Sequence, residues 1–313
     1  MSMMPNTPEA PTYRSGKQSV TPEGSAAPEI ARAAALQFLG RLAAELSSGT
    51  VDLPCFPNVV IQIRDALVDP NTTIDRAVTI VGAEPRLTAR LMQTANSAAF
   101  NQSGKLVTDL KIAITRLGQQ LVQSAAMAFA VQQMKNEESL RSIAQQLSDL
   151  WKDSIAVASI CHVVARRTKV GPDEAFLTGL LHGIGRLYIM VRAVREAESL
   201  GADYVLMDLI SGWHPSIGKA VLQNWGFSDD LAEAVGEQCE VERERRRGQE
   251  VDLLDVLIAG IHLAGYLKVA APRKIDVKGM PALAAIGLSE QACSEILLHA
   301  EYQLGALQDS LGC

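Results

Sequence analysis

A chain of 313 residues with 48% hydrophobic content can bury one large core or two smaller ones. Its net charge of -6 argues against broad binding to a phosphate backbone, which needs a dense Lys/Arg surface. With 4% aromatic residues and plentiful Ala, Leu, Gln and Glu, the composition favours helices over strands, and no apolar run approaches the roughly 18 residues of a membrane span.

The N-terminus lacks a basic-then-apolar leader, and the five cysteines (Cys55, Cys161, Cys239, Cys293, Cys313) are scattered without a CxxC pair. Free thiols in a reducing, cytoplasmic setting are the expectation. Residues 1–27 are rich in Pro, Ser, Thr and Gly and read as a mobile tail that cannot recover its ordering entropy by burial.

From Pro28 the pattern turns helical, with Ile30, Ala34, Leu36, Leu39, Leu42, Ala43 and Leu46 at helical spacing and Gly49 as the stop. Leu53-Pro54-Cys55-Phe56-Pro57 is an extended connector, because a residue preceding proline is pushed out of the α region. Val59, Ile63, Leu67 and Val68 form the next stripe. Thr73 caps the helix that carries Ile74, Ala77, Val78 and Val81. Glu84-Pro85 starts another helix, and Thr108-Asp109 the one after it, which Gly118 interrupts. A glycine between two helices suggests a helix-turn-helix, but residues 119–130 hold no Lys or Arg to read base edges, so two core helices are expected.

Lys135 to Arg141 is a charged separator. A second bundle follows: a long stripe from Ile143 through Leu147, Leu150, Trp151, Ile155 and Cys161, a turn at Lys169–Pro172, and a helix with Leu177, Leu180 and Leu181. That helix leads into His182-Gly183-Ile184-Gly185-Arg186. Beyond it, Trp213–Gly218 leads into a helix with Ala220, Val221, Leu222 and Trp225, and Leu231, Ala234 and Val235 mark another. Glu240 to Glu250 reads as a solvated charged stretch, with Arg243, Arg246 and Arg247 as a weak anion-binding alternative. Leu253–Leu267 is a core helix, and Met280–Leu311 supplies one or two closing helices with Ser289 and Glu290 near a start.

Several blocks carry a resemblance. Leu53-Pro54 with Phe56-Pro57, Glu84-Pro85-Arg86-Leu87-Thr88-Ala89-Arg90-Leu91, Ala95-Asn96-Ser97-Ala98-Ala99-Phe100 and Ala113-Ile114-Thr115-Arg116-Leu117-Gly118 are similar to the HDOD (HD-related output domain) family, in its order and spacing, from about Leu53 to about Glu240. The resemblance implies an all-α, two-lobed fold: a helical lobe over residues 28–142 packed on a degenerate HD-like lobe over 143–313. In HD phosphohydrolases the run at 180–186 reads Leu-Leu-His-Asp-Ile-Gly-Lys, and four ligands hold the cation. By that resemblance the ligand positions here are Asp153, His182, Gly183 and Gly265, so one ligand is kept, one is changed and two are erased.

Losing carboxylates that would bind the cation directly removes much of the binding free energy of a metal site, so neither metal nor cofactor nor catalysis is expected. A rebuilt zinc site from Asp153, His182, His214 and His262 is the competing arrangement. Arg186 keeps the positive charge at the position where the enzymes carry Lys, so it either forms a structural ion pair or binds a phosphorylated ligand. Asn96 and Ser97, polar inside an apolar helix, are expected to bond to backbone and lock the two lobes together.

The function that follows is a non-catalytic output module of bacterial signal transduction, a scaffold whose partners are signalling proteins: a response regulator, a sensor or a second-messenger enzyme. Nucleic acid and membrane are not expected partners. Asp153, His182, Arg186, His214 and His262 would line its ligand or partner groove. The alternatives are a nucleotide sensor that binds without hydrolysis and a residual metal-dependent phosphohydrolase.

Overall fold

The computed structural model describes residues 26–49, 51, 53, 62–63, 73–97, 101, 104–196, 203–241, 243, 250–267, 275–277 and 279–311. Among them every regular element is helical. They run α1 (Ala26–Ser47), α2 (Ile74–Gly82), α3 (Pro85–Asn96), α4 (Leu110–Lys135), a 3-10 turn (Glu138–Ile143), α5 (Ala144–Ala165), α6 (Pro172–Leu181), α7 (Ile184–Val194), α8 (Asp203–Asn224), α9 (Asp229–Glu237), α10 (Leu253–Leu267), α11 (Pro281–Ile286) and α12 (Glu290–Leu311). The expected tail up to Ser25, the connector after Leu53, most of the Val59–Val68 stripe, Ala98–Phe100 and Arg246–Arg247 lie outside the described residues. No helix among the described residues is long and apolar enough to cross a membrane.

Local chemistry sets the helix starts. The Thr73 side chain accepts from Arg76 N, Glu84 from Arg86 N with Pro85 at the first turn, and Asp109 from Ile112 N. Ser289 Oγ accepts from Ala292 N at the start of α12. Each of these bonds satisfies a backbone donor that the first turn leaves without a partner. Gly118 lies inside α4 at φ 76°, ψ 164°, a region open only to glycine, and the helix kinks there.

One expected boundary moves. The Trp213–Gly218 stretch was read as a lead-in, but α8 runs through it with Pro215 in its interior. The missing proline N–H deprives only the carbonyl four residues back, at Ser211, and that residue is exposed, so water can serve it.

The core is shared by all these elements. α5 packs along α6 and is backed by α10 and α12, while α7 lies on α8 and α8 on α9. α2 and α3 rest on α4, which also touches α6. α1, expected among the early helices, packs on α8. It buries Ala35, Phe38, Leu39, Leu42 and Leu46, while Leu36 faces outward, 53% exposed. Polar clasps fix its register. Arg192 grips Glu45 with two bonds of 2.6 and 2.9 Å, Asn224 donates to the Leu46 carbonyl (3.0 Å), and Arg41 pairs with Glu196. Arg192 is 11% exposed, so its forked pair is far less screened than a surface bridge.

The α7–α8 crossing is the tightest consequence of sequence in the fold. A Cβ on Gly185 would overlap the carbonyl oxygen of His214 and sit 2.7 Å from Gly218 N. Backbone cannot yield as a side-chain tip can, so only glycine fits. Gly185→Ala is therefore expected to cost about 3 kcal/mol of unfolding free energy by forcing the helices apart. The control Gly265→Ala, with no heavy atom within 4 Å of its Cβ position, should be neutral or stabilising by up to about 1 kcal/mol. Urea denaturation of the two variants measures both.

Candidate functional site

The close crossing presses the start of α7 and the middle of α8 together, and α6 ends at the same point. His182 is the residue after α6 and is buried. Its Nδ1 lies 2.7 Å from the Gly179 carbonyl oxygen. A carbonyl only accepts, so Nδ1 carries the proton and Nε2 keeps the lone pair. Gln238, at the end of α9, donates to the His182 carbonyl (3.0 Å) and to the Val235 carbonyl (2.7 Å), which ties α9 to this corner.

His214, on α8, is fully buried. Arg186, one turn into α7, reaches His214 Nε2 at 3.3 Å. A guanidinium only donates, so Nε2 accepts and the proton of the neutral ring sits on Nδ1. That Nδ1 is buried without a hydrogen-bond partner among the described residues. Burial first, then the charge of Arg186 and the nearby His182, hold the His214 pKa down to about 3. The Arg186 charge also reaches the Cys239 thiol, which burial pushes up and Arg186 pulls back. Among the described residues Arg186 has no carboxylate partner, so the expected ion pair is replaced by a bond to a neutral imidazole.

The ligand positions of the resemblance do not assemble. Gly183 is buried as the cap of α7, and a Cβ there would lie 2.8 Å from Leu150 Cδ1 and 3.3 Å from Ser154 Oγ. A side chain at 183 would meet the tip of a leucine from α5, which must shift to admit it. Asp153, half-buried on the same helix, is not among the nearest neighbours of that position. Gly265 is exposed on α10. His262, on α10, stands edge-on to Tyr266 of the same helix with centroids 5.4 Å apart. Burial lowers its pKa, with Asp276 pulling the other way. No group of three or more His, Cys, Asp or Glu side chains among the described residues is placed to hold a metal ion. Hence the residues present do not fit the cation that the fold family uses, and the rebuilt arrangement of Asp153, His182, His214 and His262 does not form.

Asn96 and Ser97 do bond to backbone, with a shorter reach than expected. Asn96 Nδ2 donates to the Met92 and Val107 carbonyls (2.9 and 2.8 Å), and Val107 N donates back to its Oδ1 (2.7 Å). Ser97 Oγ donates to the Thr94 carbonyl (2.8 Å). Among the described residues these bonds clamp the connector between α3 and α4; they do not lock one lobe to another. Arg243 forms a forked pair with Asp252 (3.0 and 2.7 Å), so its charge is spent within the chain.

Sequence reasoning overlooked Leu150, Ser154 and Gln238. A helical-spacing signal was present for Gln238, three residues beyond Val235 on the buried face of α9, and it is a buried polar residue.

The buried neutral His214 makes stability depend on pH. Its folded pKa lies below the usual value of 6.5, so protonation favours the unfolded chain and stability falls as pH drops below 6.5. Between pH 7 and 4.5 the folded ring stays neutral while the unfolded ring titrates. His214→Gln is therefore expected to gain about 2–3 kcal/mol relative to the parent over that interval. Urea midpoints of both proteins at the two pH values test this, and a pH-independent difference would refute it.

Comparison with known proteins places the fold and the family. The chain is 21% identical over 209 residues to a protein of Treponema pallidum (strain Nichols) that carries no functional name; the match covers 62% of this chain and 39% of that protein, so the chain spans about two-fifths of its relative. A solved structure from Shewanella amazonensis SB2B, provisionally named a metal-dependent phosphohydrolase, superposes with TM-score 0.61 at 21% identity, covering 85% of this chain and 99% of that one. One from Marinobacter aquaeolei VT8, provisionally named a signal transduction protein, gives TM-score 0.57 at 20% identity, covering 90% and 66%. At these identities the likeness is one of fold. The HDOD domain family model matches residues 53–241, more than half of the chain. The chain belongs to the HDOD domain family.

Proposed function

We infer that this protein is a signal-transduction module that works by contact and turns over no substrate at its degenerate HD centre. The observation that carries the reading is Leu150. Its methyl group lies 2.8 Å from where a side chain at 183 would begin, so the erased carboxylate has been replaced by apolar packing. A cation needs several anionic or imidazole donors around a common point, and the described residues offer no such group. The signalling context is supported by the family membership and by the name given to the Marinobacter protein of the same fold. In this reading the partner is another signalling protein, and the cytoplasm is where the two meet. The face it contacts is the corner where α6, α7, α8 and α9 converge.

A second reading has its own observation. Arg186 is half-buried without a carboxylate among the described residues, and beside it stands a neutral, fully buried His214. A guanidinium so placed suits a phosphate of a nucleotide messenger, which the site would bind without cleaving.

Assay of the intact chain with an activated phosphodiester and with cyclic dinucleotides, in manganese or ferrous iron, should give no turnover above blank. His182→Ala should leave that baseline unchanged. Turnover that His182→Ala abolishes would overturn the contact reading. For the second reading, calorimetry with cyclic-dinucleotide and guanine-nucleotide panels should show binding that weakens about 10-fold or more in Arg186→Gln. Absence of heat at high micromolar concentrations would remove it.

A further inference from the structure

The C-terminal helix α12 follows the family-matched residues 53–241 and packs against both α5 and α3. Between its first turns and the end of α5 lies a cavity of about 390 Å³, lined by Val163, Arg166, Arg167, Glu295, Ile296 and His299. It is separate from the His182–Arg186–His214 corner, and no residue is shared between them.

The lining has two parts. Val163 and the nearly inaccessible Ile296 make an apolar floor. Arg166, Arg167 and His299 bring donors to the rim against a single acid, Glu295. Arg167 stands 3.5 Å from that acid, a single long contact between half-exposed groups. Arg166 has no ion pair among the described residues. The charge of Arg166 and of His299 is felt by the neighbouring His162. Its pKa is lowered by burial first and by those two groups further, against Asp173 and the Pro172 carbonyl. Two arginines are therefore gathered at one place in a chain whose net charge is -6.

A helix C-terminus favours cations, which by itself accounts for arginines following Ala165. It does not account for a concave apolar floor beneath them, or for an imidazole contributed to the same rim by a different helix. Cavities of this size with an apolar body and a few convergent polar groups are the usual form of small-molecule sites, and paired guanidinium forks match the oxygens of a carboxylate or phosphate.

We propose that the α5–α12 cavity binds a small amphipathic anion, its carboxylate or phosphate head on Arg166 and Arg167 and its apolar stem on Val163 and Ile296. Because α12 also touches α3, an occupant there bears on the helix that joins the two ends of the fold.

The test is calorimetry of the full chain with hexanoate, hexyl phosphate, hexanol and hexylamine. The two anions should bind, and the alcohol and the amine should not. The anion affinity should fall about 10-fold or more in Arg166→Gln/Arg167→Gln. It should also weaken as salt rises from 50 to 500 mM. A preference for hexyl phosphate over hexanoate would identify a phosphate head, and the reverse a carboxylate; both support the site. No heat with either anion at millimolar concentration, equal binding of hexanol, or unchanged binding in the double variant would each overturn it.

Discussion

Helices here approach more closely than side chains permit, and missing Cβ atoms make that approach feasible. Gly185 lets α7 lie against the backbone of α8 at His214 and Gly218, and Gly179 lets α6 lie against α5 at Ala158. Close-packed backbones leave little room to adjust. The position of every side chain at the corner follows: His182 is held by the Gly179 carbonyl, His214 is buried on α8, and Arg186 has the imidazole within reach. The clasp of Glu45 on Arg192 then fastens α1 to the same pair of helices from outside.

Within this frame Gly183 has a different meaning from its neighbours. Its absent side chain permits no helix crossing; it leaves room that Leu150 and Ser154 take. Where the resemblance implies a ligand, the structure has packing. Retaining His182 does not contradict this, because the ring serves structure by bonding Nδ1 to the end of its own helix. Arg186 and His214 form a pair that needs no metal: one donates, the other accepts, and burial keeps the acceptor neutral.

Much of this was legible in the residues. The caps at Thr73, Glu84, Asp109 and Ser289 and the apolar run Leu253–Leu267 mark helix ends through local hydrogen bonding and periodicity, which sequence displays directly. The family was legible as well, since it rests on blocks spread along the chain. What was not legible depends on rotation and distance. Leu150 and Ser154 are four residues apart and share the face toward Gly183, a proximity that no local pattern displays. Pro215 looked like a boundary because local propensity disfavours it inside a helix, and tertiary packing of α8 overrode that preference. The docking of α1 onto α8 joins Leu46 to Asn224, 178 positions apart, which no local pattern encodes.

The central claim is that the carboxylate position at 183 is closed by Leu150. A double-mutant cycle with Gly183→Asp and Leu150→Ala, read by urea denaturation, addresses it most directly. The account predicts that Gly183→Asp alone costs about 2 kcal/mol or more. In the Leu150→Ala background it should cost less, with a coupling of about 1 kcal/mol or larger. A Gly183→Asp protein as stable as the parent, with additive effects at the two positions, would contradict it.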